Sequence, residues 1–238
     1  AYLADWERQQ PDAPFITIAP MHLREAFWTK IARPIKGIMY HGWQSLVPCD
    51  GHSSYRCTNL QTQDELARLV REVIRPLGPT LLKVPAARSD VAFLESFASQ
   101  MLARRGTWGW GGSWAGDAWH VLAWARLQSE IVYDQTIARR GLDGYRVLVA
   151  CDCDVLSQTA ARRIREFQQR GGLVIGDENL CPAIKPDIVL PLYKRTGRAD
   201  ADKAALLERA AGLRRQLDGR YRRAVDTSNP EVIPCLRA

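Results

Sequence analysis

Tyr145-Arg146-Val147-Leu148-Val149-Ala150-Cys151-Asp152-Cys153-Asp154, an amphipathic run from Ser157 to Gln169, and then Arg170-Gly171-Gly172-Leu173-Val174-Ile175 decide the fold of this chain. Tyr145 to Ala150 is apolar at nearly every position, as a strand buried on both faces must be. The run from Ser157 is long enough for a crossover helix, and Gly171-Gly172 ends it before Leu173 starts another apolar strand. Two parallel strands joined by a helix result. Toward the N-terminus the same alternation continues. Val91-Ala92-Phe93-Leu94 is a strand, Gly106 to Gly112 a loop of Trp and Gly, Ala115 to Leu127 a helix, and Glu130-Ile131-Val132-Tyr133 a strand. The predicted class is α/β, with a doubly wound parallel sheet covered by helices on both faces. Ligands of such sheets bind beyond the carboxyl ends of the strands, where Glu95, Ser96, Asp134, Asp152, Asp177 and Glu178 fall. Asp177 and Glu178, adjacent on one turn, are either an acid/base or metal-binding pair or, since neighbouring strand-end residues diverge, caps of the next turn.

Upstream lies a differently organised block. Phe15-Ile16-Thr17-Ile18-Ala19 is a short strand between Pro14 and Pro20, and His22 to Ala32 a helix ended by Arg33-Pro34. Ile35 to Tyr40 is a further strand that delivers His41-Gly42-Trp43-Gln44 into a long loop. Thr62-Gln63-Asp64-Glu65 matches a capping box, followed by Leu66, Leu69, Val70, Val73 and Ile74 at helical spacing until Pro76 and Gly78 stop it. Residues 1–86, 87–195 and 196–238 are therefore read as separate segments, the last a basic amphipathic helix and a linker.

At about 150 residues per domain, 238 residues make one large or two small domains, and 46% hydrophobic with 25% charged residues is a folded composition. No stretch of 18 uncharged apolar residues occurs, so no membrane partner is expected. The start, Ala1-Tyr2-Leu3-Ala4-Asp5-Trp6-Glu7, has neither the basic nor the apolar region of a signal peptide, and the chain is expected to be soluble. Of the net charge of +7, five units lie from Lys194 onward, where 11 basic residues face 6 acidic ones, interleaved with Leu206, Leu213, Leu217 and Tyr221. That is the pattern of a docked helix with a solvated basic face, and no nucleic-acid-binding motif accompanies it. The six cysteines lack CxxC spacing, so neither a metal nor a cofactor is expected.

The stretch from Tyr145 to Ile175 resembles the glutamine-amidotransferase-like domain, called the trimerisation domain, that follows the catalytic barrel of bacterial β-galactosidases. Ile35-Lys36-Gly37-Ile38-Met39-Tyr40-His41-Gly42-Trp43 is similar to the last strand of the (β/α)8 barrel of such glycoside hydrolases. Asp226-Thr227-Ser228-Asn229-Pro230-Glu231-Val232-Ile233 is similar to the entry into their C-terminal β-domain. The resemblance implies partial (β/α) barrel elements in residues 1–86, then a flavodoxin-like, class I glutamine-amidotransferase-like domain in residues 87–195. About 85 residues supply only two of the eight units of a barrel of around 250, so the chain is expected to be a portion of something larger. In the resembling enzymes the catalytic glutamates lie on strands four and seven; the candidate seventh strand, Phe15 to Ala19, has none, and no catalytic residue is carried over. Amidotransferase chemistry needs a Cys at a strained turn and a His. Asp177 stands at that turn and no His follows His120.

Sugar contact is expected instead from aromatics. Trp108 and Trp110 sit among Gly106, Gly109, Gly111 and Gly112, where rings can stack on a sugar face and glycine lets the loop approach closely. The competing reading is that these two seal an interface and that Trp119 and Trp124 pack on the helix face. His41 and Trp43, at the exit of the barrel-like strand, face the mouth of the site on this reading. The expected function is a non-catalytic portion of a β-galactosidase-like hydrolase, with carbohydrate and further copies of the chain, trimer or dimer, as partners. A stand-alone carbohydrate-binding or scaffold module is the alternative, and a small hydrolase using Asp177 or Glu178 a third.

Overall fold

The computed structural model describes residues 20–39, 60–103 and 114–237. The chain divides into two compact units, Ala1–Ala87 with Arg237–Ala238, and Arg88–Leu236. The expected strand Phe15 to Ala19 and the loop from Gly106 to Gly112 lie outside the described residues.

In the first unit, α1 (Pro20–Ile31) buries Leu23, Phe27 and Ile31, spaced four apart on one face. Phe27 and Ile31 pack on Leu69 and Val73, which belong to α2 (Leu60–Leu69) and the π-helical turn Val70–Ile74 that continues it. The capping-box reading of Thr62 fails because the helix already runs from Leu60, which leaves Thr62 buried inside it. Glu65 turns instead to arginines, accepting from Arg24 Nε at 2.8 Å and Arg68 Nη2 at 2.7 Å. The two guanidiniums hold its carboxyl down at about 2. Nor does the helix end at Pro76 and Gly78. The Arg75 N–H donates to the Val70 carbonyl across the π turn, and a new segment, α3 (Arg75–Leu81), opens with Pro76 in its first turn, where the missing N–H costs nothing. The expected strand from Ile35 is not formed over its described part. Ile35 N–H bonds back to Arg33 O at 2.8 Å, residues 35–39 have no strand partner among the described residues, and Met39 is 91% exposed. The Arg237 guanidinium donates to the carbonyls of Ile31, Arg33, Leu81 and Val84, tying the ends of α1 and α3 together.

The second unit is built on five parallel strands: β1 (Val91–Glu95), β2 (Ser129–Tyr133), β3 (Val147–Ala150), β4 (Leu173–Gly176) and β5 (Ile188–Val189), in spatial order 2-1-3-4-5. Val147 pairs with Val91 on one side and Leu173 on the other. Alternation divides the sheet between two cores. Val91, Phe93, Val147, Val149 and Ile175 face α5 (Trp114–Trp124) and α8 (Ala199–Leu217). Ala92, Leu94, Leu148, Ala150 and Val174 face α6 (Asp134–Arg140) and α7 (Gln158–Gln169). A short α4 (Phe97–Leu102) follows β1. The expected basic C-terminal helix is α8, which buries Leu206, Ala210, Leu213 and Leu217. Ser157 caps α7 by accepting from Ala160 N at 3.1 Å, and Gly171, at φ +90°, ends it. Gly172 is constrained for a different reason: a Cβ there would come within 2.3 Å of the Phe167 ring, which would have to shift.

Phe93 is fully buried and meets Trp119 edge to face, the centroids 5.6 Å apart. Phe93→Ala is expected to lower stability by about 3–5 kcal/mol, seen as a fall in the urea midpoint with little change in slope.

Candidate functional site

The loops at the carboxyl end of the sheet gather the acidic residues that the sequence placed there. β1 and β3 are neighbours whose following connections run to opposite faces, the position where a parallel sheet of order 2-1-3-4-5 opens a crevice. Among the described residues, hydrogen bonds bridge the connections on its two sides. Ser96 Oγ donates to Val155 O at 3.0 Å, Ser99 Oγ to the same carbonyl at 2.9 Å, and Val155 N–H returns a bond to Ser99 Oγ at 2.9 Å. Ser96 also caps α4 by accepting from Ser99 N. Asp134 accepts from Ala98 N at 3.3 Å and from Gln135 N at 3.1 Å, and its Oδ2, 3.3 Å from Ser96 Oγ, is the alternative acceptor for that hydroxyl's one proton. Glu95 accepts from Gln100 Nε2 at 3.0 Å.

Asp177, one residue past β4 and 4% exposed, is the hub of the next connection. Its Oδ2 accepts from Trp114 Nε1 at 2.7 Å and Asp152 N at 2.8 Å, and its Oδ1 from Asn179 N at 3.0 Å. Asn179 Nδ2 in turn donates to Asp152 Oδ1 at 2.8 Å. Asp152 occupies the left-handed region at φ +55°, a conformation Asp tolerates and these two bonds fix. Burial pushes Asp177 up to about 6, against the three donors that pull it down. Glu178 points elsewhere, accepting from Leu192 N at 3.0 Å. The two neighbouring carboxylates therefore do not form a pair, and Asp177 has both oxygens occupied by donors of its own chain. This geometry serves packing rather than acid/base exchange with a ligand.

Cys151 and Cys153 are buried, and desolvation pushes both thiols well above the ordinary range, so neither is a nucleophile at neutral pH. No group of three or more His, Cys, Asp or Glu with metal-binding geometry occurs among the described residues, and no helix among them is long and apolar enough to cross a membrane. The four residues expected to touch sugar, Trp43, His41, Trp108 and Trp110, lie outside the described residues. Trp119 and Trp124 are both partly buried against the α5 core. The role of Trp114 as donor to Asp177 went unread in the sequence, where it stands just before the expected helix from Ala115 and is in fact the first residue of α5.

Comparison with solved structures finds similarity to carbohydrate-active proteins. The β-galactosidase from the psychrophilic Marinomonas ef1 matches at 16% identity and TM-score 0.47, over 79% of this chain and 29% of that one. The α-L-fucosidase isoenzyme 2 from Paenibacillus thiaminolyticus matches at 17% and 0.38, over 55% and 19%. The cold-adapted β-galactosidase from Rahnella sp. R3 matches at 17% and 0.42, over 56% and 20%. This chain thus spans less than a third of each of those proteins. No family model matches the chain, and no curated protein does.

The Asp177 hub makes a pH-dependent prediction. A carboxyl whose folded value is raised stabilises the fold below its unfolded value, here 3.8, and loses that contribution as pH rises through about 6. The wild type is expected to lose up to about 3 kcal/mol relative to Asp177→Asn across that window, measured by urea unfolding at successive pH values. Equal slopes for the two proteins would show that Asp177 titrates normally.

Proposed function

We propose that this chain is a non-catalytic portion of a glycoside hydrolase of the β-galactosidase kind. In this reading residues 1–86 are late units of a (β/α)8 barrel, represented among the described residues by their helices and not by the strand from Ile35. Residues 87–195 form a glutamine-amidotransferase-like domain that serves assembly into a homo-oligomer, trimer or dimer. The observation that carries the proposal is the closed carboxyl edge of a sheet ordered 2-1-3-4-5. A doubly wound domain normally keeps that edge open for a ligand. Here Ser96, Ser99 and Asp177 fill it with bonds to their own chain. An enzyme-like frame whose described carboxyl edge is bonded to its own chain suits a domain retained for assembly. The sequence resemblance supports the same parent activity. Asp177 at the nucleophile position and the high thiol values of Cys151 and Cys153 oppose amidotransferase chemistry.

Sugar contact is assigned to His41 and Trp43 at the barrel mouth, and to Trp108 and Trp110 on their glycine-rich loop. Indole faces stack on the C–H faces of a pyranose, and His41 supplies a hydrogen bond to a hydroxyl. Light scattering of the purified chain is expected to give a closed dimer or trimer. Galactose is expected to quench the tryptophan fluorescence saturably, and a Trp108→Ala, Trp110→Ala double variant to lose most of the quenching. A monomer would remove the assembly role, and a monomer with intact quenching would favour a self-contained carbohydrate-binding module. Absence of quenching in the wild type would remove the sugar contacts.

A further inference from the structure

The opposite edge of the second unit is open. Two cavities, about 550 Å³ and about 280 Å³, lie at the amino ends of β3 and β4 under the segment that leaves α8, and both are lined by Arg146, Arg220 and Tyr221. Arg222 also lines the larger one. The acidic residues on these walls are already engaged. Asp187 accepts from Gln168 Nε2 at 3.0 Å and Val174 N at 2.8 Å, and Asp218 from Arg223 Nη2 at 2.9 Å. Asp226 lies 3.6 Å from Arg126 Nε. Asp90, below the groove, accepts from Tyr221 Oη at 2.6 Å.

Among the described residues, the arginines have no such partners. Arg146 lies over the Tyr221 ring, 5.4 Å from its centroid, and Arg220 Nη1 reaches only the backbone carbonyl of Asp187 at 3.4 Å. Among the described residues, Arg146, Arg220 and Arg222 make no ion pair with a carboxylate, although all three are exposed beside a groove. Three like charges gathered around one concavity repel each other, and the groove focuses their potential on whatever enters it.

We infer that this amino-edge groove binds a small ligand carrying a phosphate or sulfate group. A tetrahedral oxyanion accepts from more than one guanidinium fork at once, which a single carboxylate does less well, and it neutralises the unpaired charge. A nucleic acid fits the surface poorly. Among the described lining residues the one aromatic ring, Tyr221, is 8% exposed beneath Arg146, so it offers no stacking face to a base. The inference is independent of the proposed parent activity, because every residue it uses lies outside the expected sugar contacts.

The test is isothermal titration of the whole chain with inorganic phosphate and with pyrophosphate, in chloride buffer of matched ionic strength. Saturable one-to-one binding is expected, falling with added salt and weakened roughly tenfold by each of Arg146→Gln and Arg220→Gln. Arg222→Gln, a change at an exposed side chain, is expected to weaken it less, and serves if either of the others fails to fold. Arg162→Gln, on the exposed side of α7, is expected to leave binding unchanged. No saturable heat, an equal loss in Arg162→Gln, or binding of a single-stranded oligonucleotide without binding of either phosphate would overturn the inference.

Discussion

The second unit rests on the burial of β3, whose four residues, Val147 to Ala150, are each fully enclosed. A strand in that position must be apolar on both faces, and a sheet apolar on both faces must have helices on both faces. The parallel pairing of β3 with β1 and β4 then requires crossover connections that return each chain to the same edge. All strands consequently end together, and the loops after β1, β3 and β4 meet at one rim. The two helical layers, α5 with α8 and α6 with α7, are the geometric result of Val147 and Val149 pointing one way and Leu148 and Ala150 the other.

Where strands end together, polar backbone and side-chain groups crowd at the edge of the core and each must find a partner. The carboxyl rim meets that demand internally. Asp177 satisfies the indole of Trp114 and the backbone of Asp152, residues 63 and 25 positions away in sequence. Ser96 and Ser99 satisfy Val155 across separations of 59 and 56. Further from the rim, Asp117 is buried and held by Arg195 over a separation of 78, while Asp202 accepts from Tyr193 Oη at 2.7 Å and Thr196 N at 2.8 Å. Removing one member of such a set leaves a buried polar group without a partner, which costs more than the bond itself was worth.

These distant pairings explain what the sequence disclosed and what it withheld. β1, β3, β4 and α7 were legible because each is a run whose apolar period matches its element. β5 was not, since Ile188 and Val189 are two residues with no period to read, and α4 and α6, six and seven residues long, give barely two turns. The capping-box pattern at Thr62 misled because the partners of Glu65 include Arg24, 41 residues away. Asp177 was located at the right edge by position alone. Its partner Trp114 stands between the loop pair Trp108 and Trp110 and the helix pair Trp119 and Trp124, and neither reading covered it. Trp43, His41, Trp108 and Trp110 fall outside the described residues, so the sugar contacts rest on residue type and spacing.

The two rims of one sheet therefore spend their charge differently. At the carboxyl rim, acids and hydroxyls face backbone N–H groups and carbonyls of the same chain, and little is left for a ligand. At the amino rim, the acids Asp90, Asp187 and Asp218 are taken up by Tyr221, Gln168 and Arg223, which strands Arg146, Arg220 and Arg222 in surplus. The net charge of +7 is thus concentrated, not evenly spread, at this end of the chain. A docked basic helix needs only a solvated face, and α8 has one. Arg220 and Arg222 lie beyond its last residue, Leu217, on a turn that walls a cavity. Solvating the helix does not account for charges placed there; the anion proposed for the groove would.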